Sequence, residues 1–313
     1  MVEFCRRGGL AALLSAALLG VTACGGGGGS TPATSASSTS TATAAPASPA
    51  VPQRTAPMSL LIPLYAYPLV SSGSGTSRIT TINPAWQAVA AGAAAVPTVA
   101  VINPSNGPVA CSSPPSATLT AFTQGIAQLH AAGARVLGYV HTSYGQRALA
   151  SVQQDVQTYA QCYGVDGIFF DEVAVQPGQA GYYAAAAAAA RSAIVPLLGQ
   201  TALVVINPGA YPDPSIAATA DVTVVHESAD LNQQPVPASL AAYAPSRFAY
   251  LAFGIGSLAQ VQSAVLSGLF AQGIGYVDLT DQGSAGTNPW ANVSSVYPDL
   301  IQAVQALNQT LQK

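Results

Sequence analysis

Residues 134–172 read ARVLGYVHTSYGQRALASVQQDVQTYAQCYGVDGIFFDE. The apolar runs at 134–140 and 166–170 lack the polar alternation of a half-solvated strand, so each is expected to be buried on both faces. Between them, 146–162 is long enough for a helix. Two buried strands joined by a helix make a parallel βαβ unit. The same alternation extends in both directions. Strand-length apolar runs stand at 59–65, 96–102, 202–206, 222–226, 247–252 and 273–277. Helix-length stretches lie at 84–94, 116–132, 179–198, 212–220, 236–243, 257–271 and 294–312. Helical spacing is explicit in Leu119, Phe122, Ile126 and Leu129 and again in Val261, Val265 and Leu269. The run Ala184–Ala190 has the highest intrinsic helix propensity available. Eight βα units in the segment 58–313 predict an α/β protein with a single closed (β/α)8 TIM barrel, a fold of about 250 residues. An open doubly wound sheet is the competitor. Its Gly-rich first turn is missing, because the first strand is followed by Ala66-Tyr67-Pro68.

Upstream of the barrel the composition changes. Arg6 and Arg7 precede an apolar run from Leu10 to Leu19 and then Val21-Thr22-Ala23-Cys24. A basic start, a short apolar core and small residues before a cut describe a secretory signal over 1–23, too short to span a bilayer. Val-Thr-Ala-Cys resembles a bacterial lipobox, which implies lipidation of Cys24. Gly25–Gly29 and the Ser/Thr/Ala/Pro stretch from Ser30 to Pro57 then read as a flexible tether over 24–57. The expectation is an exported lipoprotein of the cell envelope, held to the lipid bilayer through Cys24. Export also permits a disulfide between Cys111 and Cys162. The coarse map places Cys111 in a loop at the top of the barrel and Cys162 at a helix end near the bottom, which argues against one.

Charged residues are only 7% of the chain and hydrophobic ones 50%. Such a chain is neither disordered nor a nucleic-acid binder living on phosphate contacts. Removing Arg6, Arg7 and Glu3 with the leader leaves seven Lys/Arg against eleven Asp/Glu. The mature glutamates are then Glu172 and Glu227 alone, and the one lysine is the terminal Lys313. With solubility carried by Gln, Ser, Thr and Asn, an acidic residue is rarely casual here.

Active sites of such barrels sit at the C-terminal ends of the strands. In this chain those ends carry Tyr65 and Tyr67, Asn103, His141 and Tyr144, Asp171 and Glu172, Asn207, Glu227, Phe253 and Asp278, with Trp290 in the last loop. Both mature glutamates are among them. No G-x-S-x-G elbow, phosphate loop or metal-ligand spacing is present, so no metal and no cofactor is expected. What remains is carboxylate chemistry. Glycoside hydrolysis needs one carboxyl to protonate the leaving oxygen and another to attack or to activate water. Asp171 and Glu227 end strands two apart in the barrel, within reach of both the retaining and the inverting geometries. Each residue also has a plainer reading. Asp171 can cap a helix, Glu227 can be a solvated loop residue, Asn103 and Asn207 each precede a proline and can end a strand, and the tyrosines and tryptophans can simply pack.

Six segments carry a resemblance: PLYAYP (63–68), VINPSNGP (101–108), GYVHTSYGQR (138–147), GIFFDE (167–172), INPG (206–209) and the stretch from Asp221 to Glu227. They resemble, in order, the spherulation-specific family 4 (spherulin-4-like) proteins. One departure is INPSNGPVA, which lacks a second glycine after GP, so the second loop differs in shape. The resemblance implies a (β/α)8 glycoside hydrolase. The family includes a fungal endo-α-1,4-N-acetylgalactosaminidase that cuts a partly deacetylated exopolysaccharide. By motif position it implies that Asp171, Glu172 and Glu227 are the catalytic carboxylates. The expectation is therefore a monomeric, endo-acting, retaining hydrolase of an amino-sugar exopolysaccharide, without nucleic-acid partners. Asp171 is expected to be the nucleophile, Glu227 the acid/base with a raised pKa beside Val224 and Val225, and Glu172 a supporting carboxylate. Tyr65, Tyr67, Asn103, His141, Tyr144, Asn207, Asp278 and Trp290 are expected to bind substrate. A rival of a different class is a catalytically inactive barrel that binds polysaccharide at the envelope. A polysaccharide deacetylase is disfavoured, since no His/Asp metal triad is visible.

Overall fold

The computed structural model describes residues 54, 56–196, 201–257, 259, 264–283 and 286–312. The expected leader, Cys24 and the tether as far as Gln53 lie outside the described residues. Eight strands close a parallel barrel: β1 (Ser59–Leu64), β4 (Thr98–Ile102), β5 (Arg135–His141), β6 (Gly167–Asp171), β7 (Leu203–Ile206), β8 (Val222–Ser228), β9 (Phe248–Ala252) and β10 (Tyr276–Leu279). They follow one another around the barrel in chain order, and β10 pairs with β1 to shut it. The helices are α1 (Pro84–Ala93), α2 (Ala117–Ala131), α3 (Leu149–Cys162), α4 (Ala180–Ala193), α5 (Pro214–Ala217), α6 (Ala264–Ala271) and α7 (Tyr297–Gln309). None of them is long and apolar enough to cross a membrane.

Alternation along the strands builds two apolar layers. Leu60, Ile62, Val136, Ile168, Phe170, Val204 and Val277 face outward under the helices. Leu61, Val99, Val101, Leu137, Phe169, Val205 and Leu251 fill the interior. Each fully buried Leu or Phe contributes about 1.5–3 kcal/mol relative to exposure. α3 lies tight on β5 because Gly138 leaves room for it. A Cβ there would stand 2.5 Å from the buried Tyr159 ring.

The structure departs from the sequence reading in four places. Residues 69–82 form an antiparallel hairpin, β2 (Leu69–Ser72) with β3 (Ile79–Ile82). Its Ser/Thr-rich strands give no core signal, and Gly73 and Gly75 make its turn at positive φ. The helix expected at 236–243 is only a 3-10 turn, Ala238–Leu240, and the one at 212–220 is a single turn. Pro212, Pro214, Pro235 and Pro237 all stand at or before the first helical residue, so they delay the start of these elements and do not account for their early ends. The last strand starts three residues later than expected. Gly273 sits at φ 84, and a Cβ on Gly275 would lie 1.9 Å from the Ser246 carbonyl oxygen.

The fourth departure is the disulfide. Cys111 and Cys162 are bonded, with Cα atoms 6.0 Å apart. The loop after β4 runs down the outer wall to the end of α3. There Tyr163 Oη accepts the Val109 N–H and donates to the Val109 carbonyl. The bond closes a loop of 51 residues of separation. The double variant Cys111→Ser/Cys162→Ser is therefore expected to lose about 2–4 kcal/mol of unfolding free energy. Urea denaturation measures this, and a midpoint unchanged from wild type would count against a structural role for the bond.

Candidate active site

The strand parities decide which acids enter the mouth. On β6, Ile168 and Phe170 pack outward and Phe169 inward, so Asp171 at the end of the strand also turns inward. On β8 strict alternation fails. Val222 and Val224 face the interior, which would send His226 inward and Glu227 out. A bulge between Val224 and His226 resets the phase. Val225 joins the outer layer, and His226 stacks on Tyr250 with ring centroids 4.1 Å apart. Glu227, paired with Leu251, turns inward.

The two acids meet at one amide. Asn207, just past β7, donates from Nδ2 to Asp171 Oδ1 at 2.8 Å and also to Glu227 Oε2. Oxygens sharing one donor nitrogen lie within about 5 Å of each other. Tyr139 Oη donates to Asp171 Oδ2 at 2.9 Å, and Trp290 Nε1 donates to Glu227 Oε1 at 3.0 Å. All four carboxyl oxygens therefore have a donor. Burial first, and the facing Glu227 second, push Asp171 up to about 7. The Tyr139 hydroxyl is raised by burial and then by Asp171, which keeps it a proton donor. Tyr65 stands edge-on to Tyr139, with centroids 5.6 Å apart. Its hydroxyl is also raised well above normal, by burial and then Asp171. Among the described residues no Arg, Lys or His forms an ion pair with Asp171, Glu172 or Glu227. No group of three His, Cys, Asp or Glu among them is arranged to hold a metal.

Glu172 takes a different place from the other two acids. It sits at φ 53, so its side chain leaves the strand alternation. Its Oε2 accepts the Ser143 N–H at 3.2 Å, and its carbonyl accepts Tyr144 N–H and Thr142 Oγ1. It organises the loop after β5, and among the described residues its carboxyl shares no hydrogen-bond partner with the carboxyls of Asp171 or Glu227. Ser143, Tyr144 and Asn106 also hold positive φ, so the strained non-glycine residues fall in three successive loops of the mouth.

Several expected substrate contacts are otherwise employed. Asn207 is buried, with Oδ1 accepting the Gly209 N–H and Nδ2 on the two acids. It positions the carboxyls. Trp290 is 7% exposed and packs in the interior layer, so it holds Glu227 and offers no stacking face. Asn103 Oδ1 accepts the Gly107 N–H and shapes its loop. Asp278 lies inside β10 instead of at its end. Val277 and Leu279 pack outward, so it turns into the barrel interior beside Leu251, and burial raises it to about 8. Tyr67, 44% exposed, stands edge-on to Phe122 of α2. Tyr144, 61% exposed, and His141 remain open at the rim. Tyr139 was not among the residues singled out from the sequence. It shares the inward parity of His141 two residues on, a signal that was there to be read.

Barrel and site together define the class: a closed (β/α)8 barrel with a paired-acid site at the C-terminal ends of its strands. Residues 59–304 match the family model described as spherulation-specific family 4, and the chain belongs to that family. It is 33% identical over 267 residues to Spherulin-4 of Physarum polycephalum, covering 80% of this chain and 71% of that protein. The barrel is similar to the crystal structure of Aspergillus clavatus Sph3 in complex with GalNAc. That match has a TM-score of 0.63 and 24% identity, over 80% of this chain and 98% of the other.

The raised Asp171 has a consequence for stability. Below about pH 4 the acid is protonated in both folded and unfolded chains and costs nothing. As pH rises to about 7 the unfolded chain releases the proton while the folded one keeps it, so stability falls, and above that the cost is constant. Asp171→Asn is therefore expected to stabilise the protein by roughly 1–3 kcal/mol at pH 8, with the gain fading toward pH 4. Denaturant titrations at both values measure this, and an equal effect at the two would contradict it.

Proposed function

We propose that the chain is a retaining, endo-acting glycoside hydrolase of an amino-sugar exopolysaccharide, with Asp171 and Glu227 as its catalytic carboxyls. The observation that carries this reading is the shared Asn207 amide. Each acid presents one oxygen to that amide, so those two oxygens lie within about 5 Å of each other, which supports the closer carboxyl pairing of a double displacement over the roughly 6.5–9.5 Å that leaves room for an attacking water. An acidic mouth without a paired cation suits neutral or amino sugars better than uronic or sulfated ones. The likeness to a barrel crystallised with GalNAc points the same way.

In this account Asp171 attacks the anomeric carbon. Its short side chain, at the end of a strand and gripped by Tyr139 and Asn207, is the more rigid of the two. Glu227, one methylene longer, protonates the departing glycosidic oxygen and then deprotonates the water that releases the sugar. The raised carboxyl is Asp171, where the expectation from the sequence placed the raised pKa at Glu227. Protonated Asp171 cannot attack, so the rate should fall as pH drops below about 7. Glu172 supports the site through the loop it orders. Export and lipidation at Cys24 are part of the same proposal. Arg54 donates to the Ile274 carbonyl at 2.7 Å, and Asn308 brackets Met58. Arg54 and Met58 thus lie at the end of the barrel opposite the mouth.

The test is hydrolysis of GalNAc- and GlcN-containing exopolysaccharides by the wild type and its alanine variants. Asp171→Ala and Glu227→Ala should each lose at least about 10³-fold in kcat, and Glu172→Ala less. Azide should rescue Glu227→Ala with a glycosyl azide of retained configuration, and Asp171→Ala with the opposite anomer. Binding without turnover by the wild type would favour the inactive, polysaccharide-binding barrel. Azide products of swapped configuration would exchange the roles of the two acids.

A further inference from the structure

We infer that His141 contacts the substrate, its ring Nε2 accepting a hydrogen bond from a donor on the bound sugar. This rests on the glycosidase reading of the site. His141 ends β5 directly across from Asp171 in the β5–β6 register. Leu137 and Tyr139, four and two residues before it, both pack into the interior, so alternation turns His141 inward as well.

Everything about His141 except Nε2 is spent on the protein. Its carbonyl oxygen accepts from Arg147 Nη1 at 3.1 Å, and Arg147 Nη2 is held by Asp155 at 2.7 Å. Ring Nδ1 lies 3.1 Å from the Asn106 carbonyl oxygen. A carbonyl only accepts, so Nδ1 carries the hydrogen and the neutral ring presents Nε2 as a bare acceptor. The carbonyl that sets this tautomer belongs to Asn106, itself at φ 52. No described residue hydrogen-bonds to Nε2. The other polar groups gathered here, Tyr139, Asn207 and Trp290, turn their donors to the two catalytic carboxyls. A sugar brings hydroxyl and acetamido donors of its own. Nε2 is an acceptor beside the catalytic pair that no described residue has used.

Two substitutions separate a substrate contact from a structural one. His141→Asn keeps a donor near the place of Nδ1 and deletes Nε2. His141→Gln places a polar group near Nε2 and gives up the Asn106 contact. The full-length protein is assayed for KM and kcat on a GalNAc-containing polysaccharide, for GalNAc affinity by calorimetry, and for its thermal midpoint. His141→Asn should raise KM and the GalNAc Kd about tenfold or more at an unchanged midpoint, and His141→Gln should recover part of that loss. Wild-type affinity in His141→Asn, with His141→Gln the impaired variant, would overturn the inference and leave the ring a loop organiser. A wild type that neither binds nor cleaves would instead overturn the glycosidase reading beneath it. If His141→Asn does not fold, the ¹⁵N shift of His141 Nε2 in the wild type decides. It should move on GalNAc addition, and an unmoved resonance would overturn the inference.

Discussion

One side-chain amide sets the chemistry of this barrel. Asn207 Nδ2 is hydrogen-bonded to both Asp171 and Glu227, so two acids that would repel one another if both ionised are held face to face. The arrangement needs support from several directions. Gly209 fixes the amide's other end by donating its N–H to Oδ1. Thr142 Oγ1 donates to the carbonyls of Asp171 and Glu172 and ties the ends of β5 and β6 together. Trp290 folds back from the last loop to hold Glu227, and Phe253 stands edge-on against its ring. The bulge on β8 sets the phase that lets Glu227 take part at all. Loss of any one of these supports alters a distance on which the chemistry depends steeply.

The same closeness costs stability. Burial and a like charge keep Asp171 protonated up to about pH 7, and the loops around it hold Ser143, Tyr144, Glu172 and Asn106 at positive φ. These are unfavourable local choices, tolerated because the two apolar layers of the barrel stabilise the whole. On the outer wall the Cys111–Cys162 bond adds to that reserve without touching the mouth.

Much of this was legible in the sequence. Eight uninterrupted apolar runs identify a parallel sheet because only strands buried on both faces read that way. Rarity marked the acids, since a chain almost without glutamate keeps Glu172 and Glu227 at strand ends. Strand-end position alone did not say what each group touches. Asn207 and Trp290 read as contacts for sugar, yet both face the carboxyls, because a partner 36 or 63 residues away leaves no local signal. The bulge after Val224 has no glycine or proline to announce it. Asp278 looked like a strand end because two glycines delayed the start of β10. The disulfide ran against the coarse map because the descent of the loop after β4 is a tertiary fact, anchored by Tyr163.

The account stands on the separation of Asp171 and Glu227, and the stereochemistry of the first product reports on that separation most directly. Proton NMR of the anomeric signals, followed from the first minutes of hydrolysis of an amino-sugar polysaccharide and before mutarotation, distinguishes the outcomes. Acids bridged by one amide, paired as a double displacement requires, predict a first-formed reducing end with the anomeric configuration of the bond that was cut. A first-formed product of the opposite configuration would contradict the account and make one of the two acids the base that activates water.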